Sequence, residues 1–274
     1  MSRRQGFVNV VYFSNEHKLF GHRIELRYGL RFTRFDNVGP TTLYQVDEQY
    51  NLIDEEGTEI PSGQFFHHRY GWEPRLGLSF LVTPELSLKT SYSRTLQYVH
   101  LLSFSSAGSP MEIWIPSGPS ILPQASHQIS AGIFANLFNK DYEASVEVFY
   151  KHLDNVLDFK EHPNLLLYDK IETELRFGKG KSYGVEFLLK RNTGALSGWI
   201  SYTWSRSFRN IPGVNKNQTY RAPSDRPHII NIVVFYDISP RLQASLNWVY
   251  ATGMPITLPE GRYWFYNELI PVYT

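Results

Sequence analysis

Few residues in this chain of 274 are spaced for chemistry, and each set that could react lacks a partner. Gly180-Lys181-Ser182 has the ending of a loop that cradles nucleotide phosphates with backbone amides and a lysine. The first glycine of G-x-x-x-x-G-K-S would fall on Leu175, however, and an alternating segment follows where a helix is required. His67 and His68 could ligate a metal, but neighbours on extended backbone point to opposite sides and no third ligand lies at a metal-site spacing. Asp54-Glu55-Glu56-Gly57 could attract calcium, yet it lacks the alternating oxygen ligands of a dedicated loop and reads as a solvated charge run. No G-x-S-x-G elbow organises the many Ser, His and Asp residues. The absence of Cys removes thiol catalysis, disulfides and Cys-bound metals. No enzymatic activity, metal or cofactor is expected.

Two groups of residues remain. Asp225-Arg226-Pro227-His228 allows a functional reading, in which Arg226 and His228 contact a solute. It also allows a structural one, in which Asp225 and Arg226 pair where a loop joins a strand. The structural reading is preferred. In the loops, Trp114 with Pro110 and Pro116, Tyr44 with Tyr50, and Tyr263-Trp264-Phe265-Tyr266 supply rigid aromatics of the kind that ligand sites enrich. Trp114, Tyr263, Trp264 and Tyr266 are the candidate ligand contacts; loop packing or interface anchoring is the alternative.

The elements that would position these residues alternate with period two. Ile129, Ala131, Ile133, Ala135 and Leu137 alternate with Gln128, Ser130, Gly132 and Asn136. After Asn139-Lys140-Asp141, Tyr142, Ala144, Val146, Val148 and Tyr150 alternate with Glu143, Ser145, Glu147 and Lys151. Strand arms are expected at 6–13 and 19–35, 72–82 and 86–96, 127–138 and 142–155, 181–191 and 196–208, and 228–237 and 241–252. The joining turns are placed at 14–18, 83–85, 139–141, 192–195 and 237–240. Between hairpins run loops of roughly 20 to 35 residues, a length uncommon inside compact soluble domains.

One apolar face with its middle free of charge, one polar face, and short turns alternating with long loops describe an all-β, antiparallel transmembrane β-barrel wall of about ten strands. Glu143, Glu147, Lys151, Glu186, Lys190, Asn231 and Asn247 would line its polar lumen. Tyr92, Tyr150, Tyr202, Trp204, Trp248 and Tyr250 fall near the loop-side ends, where amphipathic rings prefer the headgroup zone. Arg34 and Arg94 are expected at strand ends. Aromatics at 15% and charged residues at 19% agree with such a wall; a net charge of +1 gives no reason to expect nucleic acid. No apolar run suits a spanning helix. Met1-Ser2-Arg3-Arg4 begins like a signal peptide, but Asn9 and Ser14 to His17 interrupt the apolar region, so an export signal is expected elsewhere in a longer precursor. A soluble β-sandwich binding module is the alternative that alternation alone leaves open.

With the hairpins placed, the stretch Ile121 to Gln128 and then Val148 to Asp158 resembles the β-barrel of TonB-dependent outer-membrane receptors, particularly the Bacteroidetes type. Gly184-Val185-Glu186-Phe187, Leu196 to Thr203, Pro223 to His228 with Asn231, and Thr252 to Pro255 with Pro259-Glu260-Gly261 are similar to later motifs of that family, in order. The resemblance implies a Gram-negative outer-membrane receptor that takes up a scarce iron chelate, vitamin or glycan. It also implies partners: membrane lipid, a plug domain and a periplasmic TonB-type coupling protein. Family barrels close about 22 strands, so residues 1–274 would be part of one barrel domain, without plug or final strands. A passive porin is the rival within the membrane.

Overall fold

The computed structural model describes residues 5–47, 50–102, 113–160, 170–256, 261–265 and 268–272. Ten long strands form one antiparallel sheet in which sheet order follows chain order: β1 (Gln5–Leu19), β2 (Ile24–Val38), β3 (Phe65–Thr83), β4 (Leu86–Gln97), β5 (Gln124–Leu137), β6 (Tyr142–Phe159), β7 (Leu175–Arg191), β8 (Leu196–Asn210), β9 (His228–Ser239) and β10 (Leu242–Ala251). A short strand, Tyr220–Arg221, adds to the outer end of β8. The hairpin turns occupy 20–23, 84–85, 138–141, 192–195 and 240–241; the described residues of the loops 39–64, 98–123, 160–174 and 211–227 lie at the opposite end.

Because directly opposed residues of an antiparallel pair share a face, the register can be followed across the sheet. Ile133, Val146, Phe187, Tyr202 and Ile230 form one unbroken line, and Ile129, Tyr150 and Tyr183 form another nearer the loops. Ile133, Val148, Leu189 and Ile200 are each about half exposed, an arrangement that water would penalise by about 25 cal/mol per Å². From Tyr142 to Tyr150, at about 3.4 Å per residue and a tilt near 45°, β6 rises roughly 20 Å, close to the apolar band of an outer-membrane barrel.

Three expectations are corrected. The segment 14–18 is strand, not turn. Glu16 pairs with Arg27 at 3.0 Å, and His17 stacks on Tyr28 with a 3.0 Å hydrogen bond, so polar cross-strand partners hold it in the ladder. The chain reverses instead at Phe20–Arg23, where Phe20, Gly21 and His22 all take positive φ. Secondly, several strands run past their expected ends: β3 begins at Phe65, β6 reaches Phe159, and β7 starts at Leu175. Beyond the apolar band the strand ends are covered by loop residues, and Val156, Leu157, Phe159, Leu175 and Phe177 are buried or packed against the loop-end cluster, so strict alternation stops while pairing continues. For the same reason Arg34 and Arg94 lie inside β2 and β4 rather than at their ends.

Gly180-Lys181-Ser182 is mid-strand in β7, and Asp54, Glu55 and Glu56 are exposed, with Asp54 accepting the Glu56 amide at 3.0 Å. His67 opposes Asn37 and His68 opposes Asp36, on opposite faces. Among the described residues no group of three or more His, Asp or Glu converges to hold a metal.

Candidate functional site

The polar face is ordered by the same register. Glu143, Lys190, Trp199, Val233 and Asn247 form one line; Gly132, Glu147, Glu186 and Thr203 a second; Gln128, Lys151, Ser182 and Ser207 a third; Leu188, Ser201 and Asn231 a fourth. All seven residues expected to face a lumen thus share one face. Hydrogen bonds cross it: Ser182 to Ser207 at 2.8 Å, Ser91 to Ser130 at 2.9 Å, and Asn231 Nδ2 to Ser201 Oγ at 3.2 Å. Lys190 Nζ stands 3.8 Å from Glu143, whose carboxylate also accepts Asn192 Nδ2 at 2.7 Å.

At the loop end this face is covered. Arg31, Thr33 and Glu73 form a chain in which Arg31 Nε donates to Thr33 Oγ1 at 3.2 Å and Thr33 donates to Glu73 at 2.9 Å. Just beyond, the first residues of loop 98–123 fold onto β2 and β3, and Tyr98 stacks on Phe35 at 5.3 Å. Gly71 permits this approach, for a Cβ there would meet Leu96 Cδ1 at 2.1 Å and the Tyr98 hydroxyl at 2.3 Å. Asn37 Nδ2 donates to Ser117 O at 2.8 Å, and Arg69 donates to Gly118 O at 3.2 Å. His100 Nε2 lies 3.1 Å from Ser117 Oγ; burial holds this imidazole below its ordinary pKa, while burial pushes the Tyr98 phenol up. Leu102, Ile115, Ile121, Ile171 and Leu175 then pack together, tying loop 98–123 to loop 160–174.

A cleft of about 180 Å³ opens where loops 39–64, 98–123 and 160–174 meet. Its walls include Asn37, Thr41, Tyr44, Thr58, Phe66, Pro119 and Glu172. Asn37 is buried, and its side-chain oxygen has no hydrogen-bond partner. Lys170 lies over the Tyr44 ring at 5.3 Å and donates to Glu55 O at 2.8 Å; Arg176 lies over Tyr50 at 4.3 Å. The cleft therefore offers amide, hydroxyl and carboxylate groups beside the Tyr44 and Phe66 rings, on loops braced by cations.

Of the aromatics proposed from sequence, Tyr44 is on the cleft wall. Trp114 is 65% exposed on the short strand Ile113–Pro116, and Trp264 is 72% exposed on Gly261–Phe265; neither lines the cleft. Tyr263 belongs to the latter strand, and Tyr266 lies outside the described residues. The cleft's polar members had no motif to mark them, since they come from separate loops.

In the Asp225 motif the carboxylate takes a different partner from the one expected. Asp225 is 1% exposed, accepts Arg221 Nε and the Ser207 amide, each at 2.7 Å, and so fixes the turn into β9. Arg226 is exposed. His228 opposes Trp204 and bonds to the Tyr202 hydroxyl at 2.9 Å, on the apolar face rather than the polar one. Nearby, Asp158 joins Arg209 at 3.0 Å to Tyr220 at 2.8 Å; burial and this carboxylate push the phenol well above its usual pKa.

An apolar outer face, a polar inner face and a loop cap over one end define the wall of an outer-membrane-type β-barrel. The chain belongs to the TonB-dependent receptor-like β-barrel family, whose profile matches residues 2–268. Family members are transport receptors rather than enzymes. No curated protein sequence matches it. The fold is similar to that of the siderophore receptor PiuA from Acinetobacter baumannii (TM-score 0.61, 15% identity, covering 90% of this chain and 33% of that one). It is also similar to the FrpB iron transporter from Neisseria meningitidis, F3-3 variant (0.58, 13%, 89% and 32%), and to the copper transporter OprC (0.58, 13%, 90% and 34%). The chain thus spans about a third of the length of each of these structures.

Proposed function

We propose that residues 1–274 form part of the barrel of a Gram-negative outer-membrane receptor that captures a scarce solute at its outer loops. The solute then passes inward with energy from a periplasmic TonB-type protein. The observation that carries this reading is the loop cap and its cleft, seated on the polar face of a wall whose other face is apolar. Glu143, Glu147, Lys151, Glu186, Lys190, Asn231 and Asn247 would face the lumen, where they contact water and the plug domain of the complete receptor. Trp114, Tyr263, Trp264 and Tyr266 would add loop contacts outside the cleft. The solute is an iron chelate, a vitamin or a glycan; similarity to proteins named for iron and copper transport favours a metal-bearing one.

The test is uptake by cells carrying the complete receptor. Removing the coupling protein should abolish uptake while surface binding persists, and Tyr44→Ala should weaken binding at least several-fold. Uptake that persists without the coupling protein would support a passive porin instead. A monodisperse protein without detergent or lipid would support a soluble binding module.

A further inference from the structure

On the apolar face, one residue pair beyond the line Tyr92, Ile129, Tyr150 and Tyr183, the register brings four basic side chains into a single row. Arg94 opposes His127, His127 opposes His152, and His152 opposes Lys181, on four adjacent strands. Arg206 stands beside the end of this row, opposite Tyr183. Directly opposed side chains have Cβ atoms about 4.5 to 5.5 Å apart, so the Arg94 and Lys181 charges flank the two imidazoles. On this stretch Asp154, 3.2 Å from His152, supplies a carboxylate.

The remaining groups are held by neutral partners. Tyr92 bonds His127 at 3.0 Å; Lys181 and Arg206 lie over the Phe208 ring at 5.8 and 5.7 Å; and Arg94 donates one terminal nitrogen to Trp72 O at 2.8 Å, its Nε being buried. Below the row the face is apolar, so a molecule that satisfies both zones has acyl chains on one side and an anionic head on the other.

We propose that this row binds the phosphate of an anionic lipid headgroup in the outer leaflet, with Arg94, Lys181 and Arg206 supplying charge and the two histidines supplying hydrogen bonds. The proposal rests on the reading of this face as lipid-facing. It goes beyond solute transport, because it gives the wall a preferred lipid neighbour along β4 to β8.

The complete receptor in nanodiscs tests it, with thermal unfolding compared in phosphatidylcholine alone and in phosphatidylcholine containing phosphatidylglycerol. The unfolding midpoint should rise by several degrees with the anionic lipid. R94Q/K181Q/R206Q should lose at least half of that rise, R94K/R206K should keep it, and the opposite-face control K151Q/K190Q should keep it. The proposal is overturned if the wild type shows no rise, leaving the row free for an acidic protein surface. It is also overturned if the triple variant keeps the full rise, if the opposite-face control loses as much, or if inorganic phosphate in neutral discs reproduces the effect. Failure to insert into neutral discs would overturn the lipid-facing reading and this proposal together, whereas insertion without lipid preference overturns this proposal alone.

Discussion

Gly71 and Gly77 lie on the same face of β3, yet a side chain would mean different things at the two. A Cβ at Gly77 meets nothing closer than Arg27 Cβ at 3.8 Å, whereas at Gly71 it would strike Leu96 and Tyr98. Gly71→Ala should therefore destabilise the cap by about 1 to 3 kcal/mol, seen as faster proteolysis within 98–123, while Gly77→Ala should leave it unchanged. Asp225→Ala removes the acceptor of a backbone amide and of Arg221 at a buried site, with an expected loss of about 1 to 3 kcal/mol in urea unfolding. Burial depresses the folded pKa of His100, so the unfolded chain binds the proton more readily. Its contribution is present above the ordinary value near 6.5 and falls as pH drops toward the lower folded pKa. Protection factors of the amides in 113–123, corrected for intrinsic exchange, should fall at pH 5.5 relative to 7.5, and His100→Gln should remove that dependence. At this scale the sequence marked Asp225 but not its partner. Arg226 is adjacent and Arg221 is not, and only the folded turn brings Arg221 to the carboxylate.

For single strands, legibility followed solvent. Where one face is apolar and the other polar, side chains alternate, and the ten arms could be read. Where β3, β6 and β7 extend past that zone, His67, His68 and Arg69, or Gly178 to Gly180, show no alternation, and the pairing there became visible only in the sheet. The turn at 14–18 was misplaced because polar residues near a hairpin mimic turn composition, although Glu16 and His17 are satisfied across the strand pair. Placing Arg at Ile133 or Val146 in the complete receptor should reduce insertion or stability by about 2 to 4 kcal/mol. The control belongs at Ser145 rather than Ser130, which is only 8% exposed and bonded to Ser91. Folding assays into liposomes that show equal losses at Val146 and Ser145 would refute the assigned faces.

For the molecule, the two outermost strands matter most. β1 pairs only with β2 and β10 only with β9 within the described sheet, so each presents a long row of unpaired amides and carbonyls. The 274-residue chain alone should aggregate or require detergent, which size-exclusion chromatography in its absence would show. The cleft was largely illegible at this scale, because Asn37, Tyr44, Pro119 and Glu172 converge from separate loops. The sheet order, in contrast, is simply chain order. That simplicity has a consequence for how such a wall can change length. Deleting one strand would reverse the direction of every later strand, exchanging turns for loops between the two sides of the membrane. Deleting a whole hairpin would leave every later residue with its side and its face. The wall can therefore shrink or grow by pairs of strands, so natural variants of this protein should differ in strand number by even steps.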